Sequence, residues 1–221
     1  MGKLLLLLVL GALVGILSLW RAYSAGNRTR VLAALASARG LSFVATADLM
    51  SVVPSGNLDL FRMGDSRRIT NLMWQRTDEL LWSQFDFTYA SGYGNHETRE
   101  QNQTVTMFQT SQVHFPSFHL AAKDLLEKIS RIFDGQNLDF ESSPLFSSSY
   151  LLKGENELAT RALFDENALR YFETHLGYAI EAFGGILIVY QNGKLLKLQD
   201  TEREMVNRDE IFQLLGTNAK R

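Results

Sequence analysis

The chain opens with an apolar run from Leu4 to Trp20, flanked by Lys3 and Arg21. A run of ~17 residues rises ~26 Å as a helix, close to the hydrocarbon thickness of a bilayer. Trp20, Arg21 and Tyr23 are residue types that settle at a membrane interface. The pattern predicts an N-terminal membrane anchor over residues 1–26 that contacts the bilayer through residues 4–20. A cleaved signal is the alternative, with Ala22-Tyr23-Ser24 supplying small residues, but its apolar core would be shorter. Arg21, Arg28, Arg30 and Arg39 outnumber Lys3 on the opposite flank, which favours a cytoplasmic location for the remainder of the chain.

Beyond the anchor, the periodicity switches between helix and strand. Val31, Leu32, Leu35 and Ala38 predict a short helix with Asn27 as N-cap and Gly40 as its stop. Leu41–Ala45, Leu58–Met63 and Ile69–Gln75 read as strands. Phe85, Phe87 and Tyr89 then alternate with Asp86 and Thr88, and a further strand runs from Gln103 to Val113. Together these predict a hairpin with an exposed tip from Ser91 to Asn102, its ladder ended by Pro116. Ala122, Leu125, Leu126, Ile129, Ile132 and Phe133 form the apolar stripe of a helix stopped by Gly135. Strand candidates at Leu138–Glu141 and Ser148–Leu152 flank Pro144, and helices follow at Glu157–Leu163 and Glu166–Leu176. Asp165 caps the second, whose buried side is Ala168, Leu169, Phe172 and Leu176. Tyr178–Phe183 is a strand, and Asn192-Gly193 joins Ile186–Tyr190 to Lys194–Leu198 as a hairpin. Thr201 and Glu204 have capping-box spacing for a last helix ending near Gly216. Strict βαβ alternation is absent, so the fold class is α+β: an N-terminal transmembrane helix followed by a soluble domain of antiparallel strands with several packed helices. Residues 27–221 form that domain, with a division into two lobes near residues 135–145 left open.

Composition narrows the chemistry. A hydrophobic fraction of 46% supports a packed interior, and the absence of cysteine excludes disulfides, thiolate metal sites and cysteine nucleophiles. A net charge of −2 carries no basic signature, so no nucleic-acid partner is expected. Gly92-Tyr93-Gly94 lacks the following helix and Gly-Lys-Ser/Thr of a phosphate loop and reads as a turn. His96, His114, His119 and His175 show no His-x-x-x-His spacing; His114 and His119 flank a short aromatic segment across which they could meet. Asp86, inside an aromatic strand, is the acid of interest, although alternation on a sheet buried on one face would expose it. No Gly-x-Ser-x-Gly elbow occurs. No catalytic residue, metal ligand or cofactor is assigned.

Several stretches carry a resemblance. They are Val31–Ala36 with Gly40–Phe43, Leu60–Gly64, Asn71–Met73, Gln84–Tyr89 with Gly92–Gly94, and Gln103–Val105, continuing more weakly through Pro116–Phe118 to Phe146 and Tyr150. The sequence resembles a loose group of uncharacterised bacterial single-pass membrane-anchored proteins. The resemblance implies a bacterial source and an inner-membrane setting; it transfers no activity and no catalytic residue.

The functional expectation is a membrane-anchored, non-catalytic binding or adaptor protein with an unidentified protein partner. Tyr93, Asn95 and His96 on the hairpin tip are the expected interaction surface, since loops on a rigid scaffold commonly carry recognition. Gly11, Gly15 and Ser18 offer a small-residue face through which the membrane helix could form a homodimer. The alternative is a membrane-tethered hydrolase or transferase whose site assembles from distant residues, such as Asp86 with His114 or His119.

Overall fold

The computed structural model describes residues 25–54, 58–91, 99–123 and 136–220. Its centre is one nine-stranded, wholly antiparallel sheet, built from β1 (Ser42–Ala47), β2 (Asp65–Arg76), β3 (Leu80–Ser91), β4 (Arg99–Thr110), β5 (Phe115–Ala122), β6 (Gln136–Asn137), β7 (Tyr150–Gly154), β8 (Ala179–Gly184) and β9 (Ile186–Tyr190). The order across the sheet is β1-β2-β3-β4-β9-β8-β5-β7-β6. The helices are α1 (residues 25–38), α2 (Leu49–Val52), α3 (Pro144–Ser149), α4 (Glu157–Leu163), α5 (Glu166–Thr174) and α6 (Thr201–Ala219). A 3₁₀ turn, Asp59–Arg62, precedes β2.

Both faces of the sheet are covered. On one, Leu58, Leu60 and Phe61 of the 3₁₀ segment pack on Phe85, Phe87, Val105, Met107, Ile188 and Tyr190. On the other, α4, α5 and α6 contribute Leu163, Leu169, Phe172, Ile211, Phe212 and Leu215 against Phe108, Phe118, Leu120, Leu187 and Val189. A smaller cluster seats Leu32 and Ala36 of α1 on Met73 of β2. Each full burial of such a side chain contributes about 1.5–3 kcal/mol. Alternation along β4 and β9 therefore serves two cores at once.

The expected architecture of a transmembrane helix leading into a domain is corrected by what the helices are. Among the described residues no helix is long and apolar enough to cross a membrane. The longest, α6, carries Glu202, Arg203, Glu204, Arg208, Asp209 and Glu210, far too many charges for a hydrocarbon core. The apolar run 4–20, with Gly11, Gly15 and Ser18, lies outside the described residues, as do Tyr93, Asn95 and His96 and most of the helix expected to reach Phe133.

Several local expectations change for identifiable reasons. Within Leu58–Met63 the chain forms the 3₁₀ turn Asp59–Arg62 rather than a strand, because Leu60 and Phe61 both bury against the sheet and the Leu60 amide is taken by the Glu181 carboxylate. Pro116 lies inside β5 rather than ending a ladder; it sits at the register irregularity between Phe115 and Phe118, where a missing N–H is tolerated. Lys194–Leu198 forms no strand because both edges of β9 are already paired, to β4 and β8. Pro144 opens α3, so the strand expected over Ser148–Leu152 starts only at Tyr150, and Leu138–Glu141 forms none. Asn27 falls within α1, and Leu176 is exposed beyond the end of α5. The capping box does not form either: Thr201 Oγ1 donates to the Lys197 carbonyl, and α6 runs through Gly216 to Ala219. Gly40 does stop α1, at φ +67°, with the Leu41 amide reaching back to the Ala36 carbonyl as in a Schellman turn.

Candidate functional site

Three cross-strand polar pairs run in line along one face of the β3–β4 ladder. Thr106 Oγ1 donates to Gln84 Oε1 at 3.1 Å, Thr104 Oγ1 to Asp86 Oδ1 at 2.7 Å, and Thr88 Oγ1 to Asn102 Oδ1 at 2.6 Å. In a sheet with one wet face these residues would point to solvent. Here α1 and α6 lie over them, and Asp86 is only 4% exposed. The expectation that Asp86 is a solvated strand residue is corrected accordingly.

A buried carboxylate needs a charge partner and filled lone pairs. Arg28 of α1 supplies the first as a two-pronged pair, Nε to Oδ2 at 2.7 Å and Nη2 to Oδ1 at 2.8 Å. The same guanidinium donates to the Leu196 carbonyl at 2.6 Å. Asn71 Nδ2 donates to Asp86 Oδ2 at 2.8 Å and receives Thr29 Oγ1 of α1 on its own amide oxygen. Asn71 sits at φ +53°, a left-handed conformation that asparagine tolerates better than most residues. The segment after β9 closes the network, with the Leu196 amide donating to Thr104 Oγ1.

Deeper along the seam stands Arg208 of α6, wholly buried. Its Nη1 donates to the Thr104 and Val189 carbonyls and to Thr106 Oγ1, and its Nε lies 4.0 Å from Glu204 Oε2. Burial pulls the guanidinium down to about 10, with Glu204, Tyr178 and Asp86 opposing the shift, so it is charged at neutral pH. Tyr178 donates its hydroxyl to Glu204 at 3.0 Å and accepts from Asn207, and burial pushes its phenol up to about 12.

At its outer end the seam opens into a depression of about 1040 Å³. Thr70, Asn71, Asp86 and Thr88 floor it, Arg28 and Thr29 wall one side, Thr46 of β1 walls another, and Arg68, Arg99, Glu100 and Asn102 form the rim. Arg68 and Glu100 pair across that rim. The lining combines hydroxyls, amides, the Arg28–Asp86 and Arg68–Glu100 pairs and Arg99 with the apolar Ala25, Ala45 and Leu195, and suits a surface of mixed polar and apolar character.

A second polar cluster lies on the opposite face. Glu181 of β8, 2% exposed, accepts Tyr190 Oη at 2.7 Å and the Leu60 amide at 3.2 Å. His119 of β5 is its register partner, Nδ1 standing 4.0 Å from Glu181 Oε1. Burial raises the Glu181 carboxyl to about 7 despite its donors. The His119 imidazole is lowered to about 4, again chiefly by burial, with Asp59 pulling up and Lys153 pushing down.

Asp86 and His119 are thus not brought together: β4, β9 and β8 separate their strands. His114 lies at the β4–β5 connection beside Gly184, away from Asp86. The partners Arg28 and Arg208 escape sequence reading because they lie 58 residues and 104 residues along the chain from the groups they meet. A signal was present nonetheless: Gln84-x-Asp86-x-Thr88 opposite Asn102-x-Thr104-x-Thr106 is a matched polar row, alternating on β3 with Phe85 and Phe87. Glu181, alone in an otherwise apolar strand, was another.

Among known proteins, no family model matches the chain and no curated protein matches it. Its fold is similar to that of the mycobacterial trehalose monomycolate transport factor A, TtfA, as seen in its crystal structure. The match covers 84% of this chain and 94% of that one, with a TM-score of 0.59 and 14% sequence identity. At that identity the similarity is one of fold.

Proposed function

We propose that this chain is a non-catalytic binding factor in a membrane-linked transport process of a bacterium, and that the depression at the outer end of the β3–β4 seam receives a protein partner. The observation that carries the reading is where the charges go. Asp86 is satisfied by Arg28, Asn71 and Thr104, and the cleft above it presents the Arg68–Glu100 pair, Arg99 and neutral side chains. Such an arrangement holds a surface rigid and polar; it does not poise a base against a nucleophile. The fold shared with a transport factor supports the transport setting, and the sequence resemblance to bacterial membrane-anchored proteins supports the bacterial, membrane-linked one.

The test is a photo-crosslinking amino acid at Thr46, on the exposed wall of the cleft. The expected adduct in cells is a component of a membrane transport assembly, and it disappears when both rim arginines are reversed as R68E/R99E. An adduct that persists in that double variant, or a hydrolytic activity abolished by D86N, overturns the reading.

A further inference from the structure

We propose that Asp59, His119 and Glu181 form a binding site for a divalent first-row transition-metal ion, of which Zn²⁺ is the probe. The three residues come from separate elements, the 3₁₀ turn, β5 and β8, and converge on the face of the sheet opposite the polar cleft. One ligand atom from each lies within 4.8 Å of the other two. A tetrahedral ion held at ~2.0–2.2 Å by imidazole and carboxylate keeps its ligands roughly 3.3–3.6 Å apart. The 4.0 Å between His119 Nδ1 and Glu181 Oε1 needs only small side-chain rotations to reach that spacing.

The surroundings are those of a metal ligand set. Tyr190 Oη and the Leu60 amide hold Glu181 in place, the outer-shell support that fixes a ligating carboxylate. Two carboxylates and one imidazole match zinc or its first-row neighbours, whereas magnesium and calcium prefer all-oxygen sets. His119 and Glu181 are nearly inaccessible to water, while Asp59 is 15% exposed at its side chain and gives the ion a path in. Two cations oppose the ion: Arg62, whose Nη1 stands 4.0 Å from Asp59 Oδ1, and Lys153, the register partner of His119 across β5 and β7. The Lys153 ammonium repels a cation, so the site carries its own test of sign. A bound ion would fasten the 58–62 segment to β5 and β8 and tighten the core that this segment caps.

The experiment uses the full chain after chelator treatment, titrated with zinc chloride by calorimetry and followed in parallel by thermal melting. A single equivalent is expected to bind and to raise the melting temperature. D59N and H119Q should each weaken binding at least ~10-fold, and K153M should tighten it. D59N changes a partly exposed group at the start of the turn, and its metal-free melting curve verifies that it folds. Failure of zinc to bind at millimolar concentration overturns the site, as does equal affinity in D59N and H119Q, or magnesium matching zinc. Weaker zinc binding in K153M overturns it too, because that outcome makes the lysine a supporting group and not a competing charge.

Discussion

At the scale of single residues, the seam turns on the Arg28–Asp86 pair. The side chains are 14% and 5% exposed, so solvent screens the pair little, and both carboxylate oxygens are engaged. Removing one partner of a buried pair costs about 3–5 kcal/mol, because the other charge is left without its counter-ion. Asn71 and Thr104 still donate to Asp86 when Arg28 is gone, which sets the expectation at the lower end. R28M should therefore lower stability by about 3 kcal/mol, and R28M/D86L should recover a large part of the loss. Urea denaturation with an unchanged m-value checks both. A loss below about 1 kcal/mol for R28M would make this an ordinary surface pair. Sequence pattern marks Asp86 as the acid of interest but places it in solvent. The error is physical: alternation states which face a residue occupies, and says nothing about whether that face is covered.

At the scale of elements, α6 is held down by polar chemistry as much as by Phe212 and Leu215. Tyr178, just before β8, ties that end of the strand to Glu204 of α6, and Arg208 ties α6 to β4 and β9. Tyr178 titrates at about 12 in the fold against about 10 in the open chain. A group with a raised folded pKa gives stability that is complete below the unfolded value and lost as pH rises through the folded one. Wild-type stability should therefore fall more steeply than that of Y178F between about pH 10 and 12; parallel slopes would show that Tyr178 ionises as freely folded as unfolded. Most individual elements could be read from pattern. Glu157–Leu163 has the bounds its periodicity predicts, and Asp165 caps α5 by accepting from the Ala168 amide. The failures share one cause. Lys194–Leu198, Leu58–Met63 and Pro116 carry correct local signals, and each was decided by a partner distant in sequence: an occupied strand edge, a carboxylate on β8, a bulge against β8. The polar cleft escaped for the same reason, since one wall, Arg28 and Thr29, comes from α1.

At the scale of the whole molecule, one sheet with a core on each face implies that neither layer can open alone. Phe108, Leu187 and Val189 belong to the core beneath α4, α5 and α6, while Val105, Met107, Ile188 and Tyr190 belong to the core beneath the 3₁₀ segment. These residues alternate along the same two strands, β4 and β9, which pair with each other at the centre of the sheet. Pulling the 3₁₀ segment away exposes one side of those strands to water, yet the strands cannot leave without dismantling the opposite core. Two-state unfolding is the rule below about 150 residues and is commonly lost in larger chains; here the shared strands should preserve it. I188A removes buried volume from one core only, at a cost of about 2–5 kcal/mol. Its unfolding by urea should stay a single transition at a lower midpoint. Tryptophan fluorescence in a W20F background, reporting Trp74 beside one core and Trp82 beside the other, should coincide with far-UV circular dichroism. If I188A instead splits the curve, with fluorescence changing before the loss of helix signal, the layers unfold separately, and the sheet is a platform for two independent cores.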